Sequence, residues 1–282
     1  MSRGKLCLIA SAFLYGVAPV FAKVSYSGGA NGITLTFLRA SMSVPLLYII
    51  MKADGISLRL TKDELKSIVL LGVFGGAIPI LLLYASYNFI STGLATTLHF
   101  VYPLMIVIAS ALLYHEKMPM PKIAAAVAVT LGIFFFADIE TASDTVGIIL
   151  ALLSGVFYSF YVIYIDRSGL DTMDYMKLTF YVMIIMSLST LVFGALFGGL
   201  SFHLTGKAWS YAAVISLMVT LGAMPLFQAG VRYEGASTAG IMSTFEPITS
   251  VVMGAAFLGE IVGIAQIFGI CMIVAGIMLV HK

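Results

Sequence analysis

Apolar residues run through this chain in ten blocks, each close to the roughly 20 residues a helix needs to cross a bilayer. They fall near 5–25, 32–51, 66–88, 92–114, 121–137, 146–165, 176–198, 209–231, 235–258 and 261–280. The separators are short and turn-forming: "SGGANG" at 27–32, "STG" at 91–93, "KMPMPK" at 117–122 and "EG" at 234–235. The pattern predicts an all-α polytopic membrane protein of ten transmembrane helices.

Composition sharpens this reading. Of 282 residues 61% are apolar and 10% charged, against about 25% charged in a typical soluble domain, too few polar side chains to clothe a soluble surface. The lipid bilayer is therefore an expected partner. With a net charge of +2 and no long run of Lys or Arg, the chain carries no electrostatic footprint for nucleic acid. Cys7 and Cys271 both sit inside apolar blocks and offer neither a disulfide framework nor metal-ligand spacing. Signatures for ATP, dinucleotide or zinc sites are missing, so no cofactor and no metal are expected.

Charge between the blocks sets their orientation. Arg3, Lys5, Lys52, Arg59, Lys62, Lys66, Lys117, Lys122, Arg167, Lys177, Arg232 and Lys282 fall on one face, Lys23 and Lys207 on the other. Basic loops stay cytoplasmic, so both termini are expected inside, in the inner (plasma) membrane of a bacterium. Arg3 and Lys5 ahead of an apolar block resemble the start of a signal peptide, but no small-residue cleavage site follows.

The chain also repeats itself. "GISLRLT" at 55–61 returns as "GLSFHLT" at 199–205, and the offset of 144 goes on to match Pro103 with Pro247, Glu116 with Glu260 and Gly132 with Gly276. Upstream the offset is 143, matching Gly4 with Gly147, Ser11 with Ser154 and Tyr15 with Tyr158. Each copy, 1–140 and 141–282, holds five spans, so the second must enter the membrane upside down relative to the first. Inverted repeats of this kind build secondary transporters, with substrate near the midplane between the halves.

Each half carries Pro-x12-Glu across its fourth span, Pro103 to Glu116 and Pro247 to Glu260, beside "FLR" at 37–39, "FEP" at 245–247 and "FLGE" at 257–260. In these features the chain resembles the EamA-type branch of the drug/metabolite transporter superfamily over nearly its whole length. Tyr15-Gly16 stands where that family often has Trp-Gly, and "YHE" closes the first half in place of "LGE". The resemblance implies a ten-helix secondary transporter of small metabolites, more often exporting than importing.

Polar positions related by the repeat share helix faces and predict a central cavity. Ser11 and Tyr15 recur as Ser154 and Tyr158, Tyr84 as Gln228, and His99 with Tyr102 as Ser243 with Glu246. The expected substrate-binding set is Tyr15, Tyr84, His99, Tyr102, Tyr158, Gln228, Ser243 and Glu246, with Tyr161 extending an aromatic cage that suits a cation or a flat ring. Glu246, midway along an apolar block where a charge costs roughly 2.5–3.5 kcal/mol, is the candidate for proton coupling, with His99 as relay. The structural alternative makes Glu246 a fixed partner of Arg39 or of backbone donors. Arg39, Pro103, Pro247, Glu116 and Glu260 are expected to be structural, the two glutamates anchoring or gating helix ends. Gly16 with Pro19, Gly75 and Gly76 with Pro79, and Gly222 with Pro225 mark expected hinges.

The sequence therefore predicts a secondary active exporter of a small zwitterionic or cationic molecule such as an amino acid, amine or drug, working by alternating access with proton coupling. A facilitative uniporter or exchanger is the first alternative and a membrane enzyme using His115 and Glu116 a remote one. A homodimer is compatible with the chain but is not read from it.

Overall fold

The computed structural model describes residues 2–136 and 144–281. The expected boundary between the halves, at 140/141, lies outside them, as do the last residue of the fifth predicted span and Lys282. Ten helical spans appear among the described residues: α1 (Arg3–Ser27), α2 (Gly32–Ala53), α3 (Lys62–Ser86), α4 (Thr92–Leu113), α5 (Met120–Phe134), α6 (Thr145–Arg167), α7 (Tyr175–Phe197), α8 (Gly206–Glu234), α9 (Ala236–Leu258) and α10 (Ile264–His281). Eight are long and apolar enough to cross a bilayer; α5 and α10 are the shorter apolar pair.

Seven helices begin on a side-chain cap, because the first amides of a helix have no partner in the helix and none in lipid. Ser2, Asn31, Thr61, Ser91, Asp144, Asp174 and Thr205 each accept from an amide two or three residues on. At α3 the cap is reciprocal, since Glu64 reaches back to the Thr61 amide at 2.7 Å. That capping box starts α3 at Lys62, four residues before the apolar block, because its first turn is polar and stands clear of the apolar stretch. Inside the bundle, hydroxyls with no water to meet turn to their own helix: Thr36 donates to the Gly32 carbonyl, Ser43 to Ala40 and Thr190 to Met186.

The two halves interlock through small residues, and their contacts repeat. A side chain on Gly4 would strike Tyr233 and Glu234, and one on its twin Gly147 would strike Phe89 and Ile90, the twins of those two residues. Between α5 and α10, Gly132 faces the Gly269 carbonyl and Ile273, while its twin Gly276 faces the Ala125 carbonyl and Val129. The first helix of each half thus lies on the other half's third and fourth helices, and α2 lies against α7. Because α1 and α6 run in opposite directions through equivalent contacts, the fold is two inverted five-helix repeats.

Candidate functional site

Proline has no amide to donate, and its ring clashes with the carbonyl four residues earlier. Pro103 and Pro247 therefore act on residues 99 and 243, where the first segments of α4 (Thr92–His99) and α9 (Ala236–Ser243) end. Both helices resume at once, as Tyr102–Leu113 and Phe245–Leu258. Each is thus broken near mid-depth, a few residues short of its centre, from opposite faces of the membrane. The breaks place the twins Tyr102 and Glu246 in the first turn of the second segments, where unpaired amides and the helix dipole favour negative charge.

Around the first break the aromatic residues assemble. The rings of His99 and Tyr158 lie 5.4 Å apart, those of Tyr102 and Tyr158 4.7 Å apart edge to face, and Tyr161 stacks on Tyr158 at 5.7 Å. Ser154 donates its only proton to the Ala151 carbonyl at 2.6 Å, so it accepts from His99 Nδ1 at 2.9 Å. The imidazole then presents the lone pair of Nε2 to the cluster. Ser243 likewise donates to the Gly240 carbonyl at 2.8 Å, so the Tyr102 hydroxyl donates to Ser243 Oγ at 2.6 Å. This bond joins the broken fourth helix of one half to the broken ninth of the other.

Glu246 faces this cluster from the second break. Its carboxylate has no hydrogen-bond or ion-pair partner among the described residues. Its charged and polar neighbours are Arg39, Tyr15, Tyr102 and Tyr158. The structural alternative, a fixed pair with Arg39, has no ion pair within 4.0 Å to support it among the described residues. Arg39 Nε is buried without a partner, and α2 is tied to α8 through the Arg39 carbonyl, which accepts from Ser216 at 2.8 Å. Gly16 brings α1 onto this spot: a Cβ there would lie 2.5 Å from the Glu246 carbonyl oxygen.

The predicted site divides on this geometry. Tyr15, His99, Tyr158 and Glu246 are partly exposed and converge, while Tyr102 and Ser243 are buried and hold the two broken helices together. Gln228 is buried behind them; its Oε1 accepts from Thr179 at 3.3 Å and its side chain meets Tyr161. Tyr84 does not join them. It packs against Gly32 and Tyr87 near the α1–α2 turn, at the less basic face. Of the expected hinges, Gly75–Gly76 and Gly222 fall in π-helical segments, Leu71–Ala77 and Ser216–Ala223, ahead of Pro79 and Pro225. Gly75 there admits Tyr161, whose Cβ would lie 2.8 Å from an added methyl. Helix α1, in contrast, runs unbroken through Gly16 and Pro19.

Ion pairs close the two ends. Lys23 on α1 meets Glu260 at 2.7 Å on the less basic face, and Arg167 on α6 meets Glu116 at 2.6 Å on the other, with Lys122 a further 3.8 Å partner. Each links a half's first helix to the end of the opposite half's fourth. The helix breaks and the partners of His99 and Gln228 were not foreseen from sequence, although Pro103 and Pro247, read as helix breakers four residues upstream, carry the signal for the breaks.

A model of the EamA-like transporter family matches residues 2–137 and again 145–281. An uncharacterized transporter of Synechocystis is 26% identical over 72% of this chain, which spans 62% of that relative's length. An uncharacterized transporter of Archaeoglobus fulgidus is 23% identical over 100% of this chain and 97% of its own. One from Bacillus subtilis is 23% identical over 95% and 89%. A solved crystal structure superposes with a TM-score of 0.84 at 18% identity, covering 99% of this chain and 97% of that one, a likeness of fold.

Proposed function

The chain belongs to the EamA-like transporter family, and on that premise we propose a secondary active exporter of a small zwitterion or cation, such as an amino acid, amine or drug. The observation that carries this reading is the unpartnered Glu246 carboxylate at the α9 break, facing Tyr15, Tyr158 and, at longer range, Arg39. A carboxylate without a partner at membrane depth is a functional group before it is a structural one. A substrate ammonium pairs with Glu246 and rests on the faces of Tyr15 and Tyr158, and a carboxylate, where present, turns to Arg39.

Glu246 also serves as the coupling group. A proton and a cationic substrate compete for one carboxylate, so each enters only when the other leaves, and His99 Nε2 offers a second proton acceptor beside the aromatic rings. Alternating access follows from the inverted halves. The Lys23–Glu260 and Arg167–Glu116 pairs sit on opposite faces, so opening one side breaks one pair while the other holds. Glu116, engaged by two cations, is read as an anchor in this scheme, which leaves the enzyme alternative without its acid.

A thermal-shift screen of amino acids, nucleobases and organic cations at two pH values tests the proposal. Stabilisation by amine-bearing compounds, greater at the higher pH and lost in Glu246→Gln, is expected. Stabilisation only by neutral or anionic compounds, unaltered in that variant, overturns it. A uniporter gives the same shift but no accumulation against a gradient, and an exchanger of metabolites accumulates substrate only with preloaded counter-substrate and not with an imposed pH gradient.

A further inference from the structure

A groove of about 690 Å³ lies away from the breaks. It runs along the outside of α8 between α1 and α7, over the half of the protein nearer the basic face. Its walls are apolar, Leu6 from α1, Met176 from α7, and Leu221, Pro225 and Leu226 from α8. Its mouth is not. Arg3 and Tyr233 line it there, and the guanidinium of Arg232 sits over the Tyr175 ring at 5.8 Å. The Tyr175 hydroxyl is buried beside Arg232 and Tyr233.

The acids nearest this mouth are already engaged. Glu234 is bonded by the Ser2 hydroxyl and lies against the Gly4 face of α1, outside the groove lining. Asp174 caps α7 through the Met176 and Lys177 amides. The repeat supplies an internal control, because the twins of Arg3, Arg232, Tyr175 and Tyr233 are Val146, Asn88, Gly32 and Phe89. Only the copy at the basic face carries two guanidiniums and two tyrosines at these positions.

We propose that this groove holds one anionic phospholipid of the leaflet at the basic face, an acyl chain in the trough and the headgroup phosphate between Arg3, Arg232 and the Tyr175 hydroxyl. An acyl chain suits apolar walls that face the bilayer, and paired guanidiniums suit a phosphodiester. The tail would pack on Leu221 and Pro225, at and just beyond the π-helical part of α8, so occupancy braces that segment. This inference rests on the membrane-embedded fold and not on which substrate the protein carries.

Native mass spectrometry of the full-length protein, released from micelles holding equal phosphatidylglycerol and phosphatidylcholine, tests it. One phosphatidylglycerol is expected to be retained in preference to phosphatidylcholine. Arg3→Gln should weaken that retention about fivefold and Arg3→Gln/Arg232→Gln about 30-fold, with phosphatidylcholine unaffected. Leu226→Trp, which fills the trough, should lower retention of both lipids. Equal retention of the two lipids by the parent protein overturns the proposal, and so does unchanged phosphatidylglycerol binding in Arg3→Gln, an exposed first-turn residue whose loss leaves the bundle packing intact.

Discussion

The hydroxyl of Tyr102 donates to Oγ of Ser243 at 2.6 Å, so one buried bond ties the broken helix of one half to the broken helix of the other. It lies where the halves must move against each other if they rock, and its geometry leads to the first prediction.

Tyr102→Phe and Ser243→Ala should each lower stability by about 1 kcal/mol, the usual net value of a neutral buried hydrogen bond. The double variant should cost little more than the larger single change, because the same bond is lost in all three. Denaturation of purified protein in detergent reads this cycle; strictly additive losses would show that the two side chains act separately.

Glu246→Gln keeps the shape of the side chain and removes its proton. In proteoliposomes with an imposed pH gradient, accumulation and exchange of preloaded substrate should both fall, because the carboxylate that takes the proton is also the one that holds the substrate ammonium. Unchanged accumulation with unchanged pH dependence would remove Glu246 from the coupling scheme.

The two end pairs are partly exposed and should matter little to stability, within about 1 kcal/mol each. Their effect should be directional. In a background lacking Cys7 and Cys271, with Tyr158→Cys as reporter, Glu260→Gln should speed labelling from the less basic face and Glu116→Gln from the basic face, each about fivefold for a shift of ~1 kcal/mol. Equal acceleration from both sides in both variants would mean general loosening.

Gly16→Ala places a methyl 2.5 Å from the Glu246 carbonyl oxygen and equally near Thr249 Cβ, so α1 and α9 must part. A loss of about 1–3 kcal/mol is expected. Gly93→Ala, with nothing within 4 Å of its Cβ, is the matched control and should be neutral or gain up to ~1 kcal/mol. Thermal unfolding of the two variants side by side separates packing from helix propensity.

Much of this was legible in the chain, for local reasons. Span length follows from bilayer thickness, which is why ten apolar blocks became ten helices with ends mostly within three or four residues. The inversion followed from an odd number of spans per copy, and the Gly132 and Gly276 contacts realise it. Ser11 with Tyr15 and Ser154 with Tyr158 share helix faces by periodicity alone, so the convergence of Tyr15, His99, Tyr158 and Glu246 was open to sequence reasoning.

Packing between helices decided the rest. Tyr84 and Gln228 are twins in sequence, yet one joins Tyr87, whose own twin is Val231, near the α1–α2 turn, and the other is buried against Thr179. That Glu246 stands apart from Arg39 depends on where α9 restarts and on how closely Gly16 lets α1 approach it, distances that no offset along a chain encodes. Sequence determined how many helices there are, their sense and which side chains share a face, since these depend on neighbours a few residues away. Tertiary structure alone decided which buried polar groups found partners and which were left open, because that choice is made between atoms 49, 55 or 141 residues apart, as for Gln228, His99 and Tyr102.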